Sequence, residues 1–213
     1  MIFNFLDIEQ FISILIIHLF AVISPGPDFA VVVKQSFKSR LSGIFTSLGI
    51  AIGILFHVFY CVLGVSYFIV ENNYIFNAIK IAGGLYLCFL GISSFLSNGN
   101  IPQINKDNFY KKEEQSYLIK SDFFIGFFTN LLNPKATLFF LSLFVLIIDI
   151  DTSLYAQIFY GFWMSLITGL WFCLVSLLIS SYYLNIFINR YFTLLNKIMG
   201  VLLIFISMKI VFM

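Results

Sequence analysis

The chain alternates between long apolar runs and shorter polar connections. A helix of about 20 apolar residues crosses a hydrocarbon core about 30 Å thick, and six runs reach that length. We therefore predict an all-α polytopic membrane protein with six transmembrane helices. The predicted segments are residues 8–33, 41–70, 75–96, 123–148, 153–183 and 191–212.

The composition supports the same class of protein. Hydrophobic residues make up 61% of the 213 residues and charged residues only 10%, whereas an ordinary soluble domain has about 25% charged residues. The mean hydropathy is +1.00. These values exclude a soluble enzyme, a nucleic-acid-binding protein and a disordered chain. We expect membrane lipid around the protein, no nucleic-acid partner and no enzymatic activity, and whether the chain forms a homo-oligomer stays open.

One long polar connection, residues 97–121, divides the chain into halves of three segments each. We predict a single transmembrane transporter domain over residues 1–213, with half-repeats at about 8–96 and 123–212. An odd number of crossings gives the two halves opposite orientations in the membrane. The predicted architecture is therefore a 3+3 inverted repeat, as in many secondary transporters.

Basic residues fall in alternate connections. The second and fourth connections contain none, and by the positive-inside rule the first, third and fifth are cytoplasmic. Loop 97–121 is then cytoplasmic, and both termini lie outside a multi-pass protein of the inner (plasma) membrane. The basic residues of these three connections are Lys34, Lys38 and Arg40, then Lys106, Lys111, Lys112 and Lys120, then Arg190.

Each half carries a proline-containing break in its first segment. Proline lacks an amide donor and clashes with the carbonyl four residues earlier, so Pro134 frees the carbonyl of Asn130. Pro25 and Pro27 free those of Ala21 and Ile23 in the same way. Paired breaks in corresponding segments point to the binding site of a transporter, although ordinary proline kinks are the alternative. The candidate residues at the breaks are Pro25, Gly26, Pro27 and Asp28, and Asn130, Asn133, Pro134 and Lys135.

Opposite charges accompany the two breaks. A charge in the membrane is costly and marks a functional site by default. An amino-acid zwitterion would place its carboxylate near Lys135 and its ammonium near Asp28. The alternative is a permanent Asp28–Lys135 salt bridge that only holds the helices together.

Histidines and glycines extend the candidate site. His57 shares one helix face with Gly49 and Gly53, and it serves either as a proton relay or as an interhelical hydrogen-bonding group. His18 is isolated and is interpreted as structural or interfacial. Small residues allow close helix approach, and the predicted packing glycines are Gly49, Gly53, Gly83 and Gly84.

The three cysteines, Cys61, Cys88 and Cys173, lie inside apolar runs and form no CxxC pair. We interpret them as packing residues, and we expect no metal site. Two alternatives to amino-acid export remain: a divalent metal-ion exporter, with Cys61 and His57 four residues apart, and a membrane thiol–disulfide electron carrier. A membrane scaffold is disfavoured by the cost of the intramembrane charges.

Several stretches together resemble the lysine-exporter (LysE/RhtB) family of amino-acid exporters. They are SPGPDFAVVVKQSFK (24–38), SGIFTSLGIAIG (42–53), KIAGGLYLCFLGI (80–92), GFFTNLLNPKATLFFL (126–141) and LNKIMGVLLIFISMKI (195–210). The resemblance implies a secondary transporter that exports amino acids or close derivatives by using a proton or ion gradient, without a cofactor. We expect alternating access around the two breaks, with Asp28 in proton coupling or ammonium binding.

Overall fold

The structure, a computed structural model, describes residues 7–24, 26–69, 73–96, 119–149 and 151–179, with short stretches between 193 and 208. Every regular element in these ranges is an α-helix, which confirms the all-α prediction. The helices are α1 (Ile8–Ile23), α2 (Pro27–Lys38), α3 (Arg40–Ile69), α4 (Asn73–Leu96), α5 (Ile119–Leu131), α6 (Pro134–Leu146) and α7 (Leu154–Ile179). A short apolar helix, Asn196–Phe205, follows α7.

Two predicted segments are each divided into two helices. Segment 8–33 becomes α1 and α2, whose axes differ by 56°. Segment 123–148 becomes α5 and α6. Of the connection predicted at 97–121, residues 97–118 lie outside the described residues, and residues 119–121 already belong to α5.

Because two predicted segments are divided, fewer helices are long and apolar enough to cross a membrane alone. Within the described residues, Arg40–Gly64 of α3 and Leu154–Ile179 are long and apolar enough to cross a membrane alone, and α1 with α2 adds a third if the bent pair is one span. Helices α5 and α6 have 13 residues each. Each is therefore about 20 Å long, less than the hydrocarbon thickness of about 30 Å. Two or three spans are clear, and the predicted six are not confirmed.

Helix α3 lies at the centre of the described fold. It packs most extensively against α5 and α7, and it also contacts α2 and α6. One apolar cluster joins side chains of α1, α3, α6 and α7. A second cluster joins α2 and α7. The two broken segments are thus held around a common long helix.

Glycines allow α3 and α5 to approach each other at backbone distance. A Cβ atom at Gly49 would overlap the backbone of Phe123 and Phe127, and one at Gly126 would overlap the backbone of Thr46. A Cβ at Gly53 would meet the side chain of Asn130. Gly49 and Gly53, two of the predicted packing glycines, thus both lie where α3 approaches α5 closely. Gly84 is buried, and the surroundings of Gly83 lie outside the described residues.

Large apolar side chains also cover the outside of the helices. Phe59 on α3, Phe89 on α4 and Leu170 on α7 are each 62–63% exposed. An aqueous surface rarely carries contiguous apolar area on this scale. The outer surface is that of a protein surrounded by lipid, as the composition predicts.

Candidate functional site

The first break separates α1 from α2 and ends in a proline-initiated helix. Ser24 caps the C-terminal end of α1, and its amide donates to the carbonyl of Phe20 at 3.2 Å. Gly26 is the N-cap of α2 and makes no side-chain capping bond. Pro27 is the first residue of α2, where its missing amide donor would have no helical partner in any case. Pro25 lies outside the described residues.

The second break, between α5 and α6, also ends in a proline-initiated helix, but here the side chain of the N-cap residue makes a capping hydrogen bond. Asn133 is the N-cap of α6, and its Oδ1 atom accepts a hydrogen bond from the amide of Lys135 at 3.0 Å. The amide of Asn133 donates to the carbonyl of Asn130 at 2.9 Å. Pro134 occupies the first helical position, as Pro27 does in α2.

Asp28 and Lys135 occupy equivalent positions at these two helix starts. Each follows a proline and is the second residue of its helix. The N-terminal end of a helix carries partial positive charge, so it favours a carboxylate and disfavours an ammonium group. Asp28 is therefore well placed at the start of α2, whereas Lys135 needs oxygen partners outside its own helix.

The two breaks meet, and each uses polar groups of the other. The ammonium group of Lys135 donates to the carbonyl of Ser24 at 2.6 Å. The side-chain amide of Asn130 donates to Asp28 Oδ2 at 2.8 Å. These bonds join residues 111 and 102 positions apart in the chain. The structure thus brings Asp28, Asn130, Asn133 and Lys135 into one polar cluster.

His57 supports this cluster from α3. Its Nε2 atom lies 3.0 Å from the carbonyl oxygen of Asn130, the group freed by Pro134. Since a carbonyl only accepts, Nε2 carries the proton in this bond. Nδ1 lies 2.5 Å from the hydroxyl of Tyr60, and the ring stacks on Phe140 with a centroid separation of 5.6 Å. Both ring nitrogens therefore have partners, and His57 bonds across to the second break.

A cavity of about 410 Å³, including its mouth, connects the two breaks. Polar and charged groups from both halves line it together with aromatic side chains. The polar and charged lining residues are His18, Ser24, Asp28, Asn133, Lys135 and Thr168, and the aromatic ones are Phe29, Phe139, Phe140 and Phe172.

Sequence reasoning missed part of this lining. His18, which the sequence analysis interprets as structural or interfacial, is buried in the cavity wall and lies 3.2 Å from the hydroxyl of Thr168. The sequence could have placed His18 in the cavity wall. His18, Ala21 and Val22 follow the i, i+3, i+4 spacing of one helix face, and His18 lies only six residues before Ser24. No sequence pattern indicated that Thr168 lines the cavity, since Thr168 and His18 lie 150 positions apart in the chain.

Asp28 retains an unused acceptor in this cluster. Its Oδ1 atom is buried and has no hydrogen-bond partner among the described residues. Burying a carboxylate oxygen without a partner costs several kcal/mol. A ligand with a positively charged donor would supply the missing bond, and the cavity that Asp28 lines has room for one.

Metal and thiol chemistry find little support in the described part of the chain. There, no three His, Cys, Asp or Glu side chains are grouped as metal ligands. Cys61 is buried, and it is a free thiol, as are Cys88 and Cys173. Asp, Lys and amide groups, rather than soft ligands, dominate the site.

Polar contacts tie the helices together on either side of the site. At one end the side-chain amide of Gln10 donates to Asp149 at 3.0 Å, and Thr152 donates to Gln10 at 3.1 Å. At the other end Lys38 of α2 lies 3.9 Å from Asp122 of α5. Polar contacts therefore join the two broken segments to each other on both sides of the breaks.

Comparison with known proteins identifies relatives over most of the chain. The family model "LysE type translocator" matches residues 19–213. The chain is 33% identical over 144 residues to a threonine efflux protein of Escherichia coli strain K12, a match that covers 65% of this chain and 66% of that protein. The chain thus spans just under two thirds of the length of this curated relative.

A more extended match reaches another bacterial membrane protein. The chain is 27% identical over 194 residues to the uncharacterized membrane protein YrhP of Bacillus subtilis strain 168, covering 88% of this chain and 91% of that protein. No solved structure matches the chain. The family match over nearly the whole chain is decisive: the protein belongs to the LysE type translocators, which are membrane transporters and not enzymes.

Proposed function

We propose that this protein is a secondary transporter that exports amino acids or close derivatives from the cytoplasm. The observation that carries the proposal is the cavity lined by both Asp28 and Lys135. The substrate ammonium binds the unused Oδ1 atom of Asp28, and its carboxylate binds near Lys135 and the positive N-terminal end of α2. The similarity to threonine efflux proteins supports an amino acid as the transported molecule.

The arrangement of the halves supports an inverted repeat. Both α2 and α6 begin with an N-cap residue, a proline and a charged residue, as Gly26-Pro27-Asp28 and Asn133-Pro134-Lys135. Helix α3 of the first half packs against α5 and α6, and α7 of the second half packs against α1 and α2. A two-fold axis that relates half-repeats 8–96 and 123–212 would pack the helices of each half against those of the other in this way.

Transport in this proposal occurs by alternating access. The breaks stay at the centre, while the contacts around Gln10 and those around Lys38 open in turn. By the positive-inside rule the Lys38 end faces the cytoplasm, so both termini lie outside. Asp28 couples transport to the proton gradient, because its carboxylate binds either a proton or the substrate ammonium.

The decisive experiment measures amino-acid release from cells loaded with threonine-containing dipeptides. Cells that carry the protein release the liberated amino acid faster than cells that lack it. Asp28→Asn removes the charge and reduces release to the level of cells without the protein. The matched control is Asp151→Asn, since Asp151 is exposed on the connection before α7. Release by the Asp28→Asn protein at the unmodified rate, with equal protein in the membrane, contradicts the proposal.

A further inference from the structure

Asn130 links the carboxylate of Asp28 to helix α3. Its side-chain amide donates to Asp28 Oδ2 at 2.8 Å, and its backbone carbonyl accepts from Nε2 of His57 at 3.0 Å. Asn130 is fully buried, and a Cβ atom at Gly53 would lie only 2.5 Å from its Oδ1 atom. The side chain of Asn130 therefore fills the space that the glycine leaves open, and a shift of α5 against α3 moves the donor that holds Asp28.

Two side chains of α3 hold Asn130 in this place. Because Nε2 of His57 donates to the carbonyl of Asn130, Nδ1 of the neutral ring is an acceptor. The Tyr60 hydroxyl, 2.5 Å from Nδ1, donates to it. The same hydroxyl interacts with the side chain of Thr137 in the first turn of α6. The pair of His57 and Tyr60 therefore contacts both sides of the second break, α5 through Asn130 and α6 through Thr137.

Aromatic contacts fix the plane of the histidine ring. His57 is fully buried, and its ring lies nearly parallel to that of Phe140, with an interplanar angle of 7°. The ring of Tyr60 meets it edge-on at 76°. Since the plane of the ring and both of its nitrogens are held, a change at the Tyr60 hydroxyl reaches Asn130 through His57.

The contacts between His57 and Asp28 do not form a path for a proton. A proton relay needs groups that take up a proton and pass it on. Nε2 of His57 faces a backbone carbonyl, which only accepts hydrogen bonds. The group that faces Asp28 is the side-chain amide nitrogen of Asn130, which only donates. Of the two roles that the sequence leaves open for His57, this geometry favours the interhelical hydrogen-bonding group.

On the basis of the proposed function, we infer that Tyr60 is a positioning residue for substrate binding. Its hydroxyl holds His57, His57 holds Asn130, and Asn130 presents the carboxylate of Asp28 to the substrate ammonium. Because Asn130 occupies Oδ2 of Asp28, the oxygen left for the substrate is Oδ1, which has no partner among the described residues. Loosening the pair lets this carboxylate shift, so that substrate binding weakens while the transport cycle still runs.

Tyr60→Phe tests the inference because it removes the hydroxyl and keeps the ring. Transport is measured in liposomes that contain the purified full chain, with whichever standard amino acid the unmodified protein transports best. We expect the KM to rise about 3–10-fold, the effect of one lost hydrogen bond, and the maximal rate to stay within about twofold. Tyr155→Phe is the matched control, since Tyr155 is exposed on α7, and it should leave both quantities unchanged.

The outcomes separate the inference from the proposed function. An unchanged KM in Tyr60→Phe, or a loss confined to the maximal rate, overturns the positioning role and leaves amino-acid export intact. If the unmodified protein transports none of the standard amino acids, the proposed function itself is wrong.

Variants of His57 distinguish positioning from proton transfer. The amide nitrogen of His57→Gln takes the place of Nε2 but carries no exchangeable charge, whereas His57→Leu offers no donor. We expect Gln to keep the KM within about threefold of the unmodified value and Leu to raise it at least about tenfold. A proton relay would be lost in both variants, so equal losses in Gln and Leu overturn the positioning role.

The double variant shows whether Tyr60 acts through His57. In a protein that already carries His57→Gln, the amide donor no longer depends on the Tyr60 hydroxyl. Adding Tyr60→Phe should therefore raise the KM by less than about twofold, because residues that act in series are not additive. A further rise as large as that of Tyr60→Phe alone would mean that Tyr60 acts independently of His57, and it overturns the inference.

Discussion

Helices α2 and α6 both begin with a proline followed by a charged residue, but different hydrogen bonds hold the two breaks in place. At the second break Asn133 caps α6 with its own side chain, and both Asn133 and His57 bond to the carbonyl of Asn130. At the first break Gly26 provides no side-chain cap. The carbonyl of Ser24 is held instead by Lys135, a residue of the other half.

This difference indicates which break depends on the other. The second break is fixed locally and by α3, whereas the first is fixed through the second. The 56° bend between α1 and α2 is therefore maintained in part by contacts that a substrate or a proton can alter. We expect α1 and α2 to be the part that responds to binding, and α5 and α6 to act as the frame.

The largest expected effect comes from Lys135→Met. Methionine fills similar space but cannot donate to Ser24 or offset the charge of Asp28. Because a hydrogen bond from a charged group contributes about 1.5–3 kcal/mol, and Lys135 also binds the substrate carboxylate in the proposed function, we expect export to fall by about 10–100-fold. Release of amino acids from dipeptide-loaded cells is the measurement, with the amount of protein in the membrane determined in parallel.

Lys34→Met is the matched control for this prediction. Lys34 is an exposed residue of α2, so its replacement changes the net charge equally without touching the breaks. We expect export to stay within twofold of the unmodified rate, as is usual for exposed sites. Equal losses in both variants would mean that overall charge, and not the contact across the breaks, controls export.

Gly26→Ala tests the contact between the breaks without removing any charge. A Cβ atom at Gly26 would lie 3.0 Å from Cδ and 3.3 Å from Nζ of Lys135. Because the lysine chain must shift away from Ser24, we expect export to fall by about 3–10-fold, equivalent to roughly 1 kcal/mol. Gly64→Ala is the control, since no atom lies within 4 Å of a Cβ there. If Gly26→Ala exports at the unmodified rate, the position of Lys135 is not critical.

Asn133→Ala probes the local support of the second break. The substitution removes the acceptor for the amide of Lys135. Loss of such an N-cap costs about 0.5–2 kcal/mol, so we expect a lower midpoint of thermal unfolding in detergent. Asn133→Ser restores a capping oxygen and should recover most of the loss. Equal midpoints for the Ala and Ser variants would show that the capping bond does not stabilise α6.

The sequence predicts the local features of this fold well, because they follow from the chain's own chemistry. Proline at positions 27 and 134 dictates where a helix can begin. Glycine at positions 49 and 53 permits close approach of two helices. The all-α class follows directly from the apolar segments.

Contacts between distant segments could not be predicted in the same way. The sequence placed opposite charges beside two breaks, but it did not indicate that Lys135 would bond to the carbonyl of Ser24. It also gave no sign that His18 would pair with Thr168. Such contacts depend on how α1, α6 and α7 pack around α3. The sequence predicted a break in two of the six segments, but it did not predict that each of them would divide into two separate helices, which is what leaves only two or three clear spans.

The smallest expected effect is at the far ends of the two broken segments. Lys38 of α2 lies 3.9 Å from Asp122 of α5, and the lysine side chain is 47% exposed. The Asp122 side chain is only 7% exposed, but an ion pair whose ammonium group is screened by solvent contributes about 0.2–1 kcal/mol. Without Lys38, the Asp122 carboxylate is still stabilised by the partial positive charge at the N-terminal end of α5. We therefore expect Lys38→Met to change export and the unfolding midpoint only slightly. A loss comparable to that of Gly26→Ala would instead mean that this ion pair closes the cavity, so that the distal ends matter as much as the breaks.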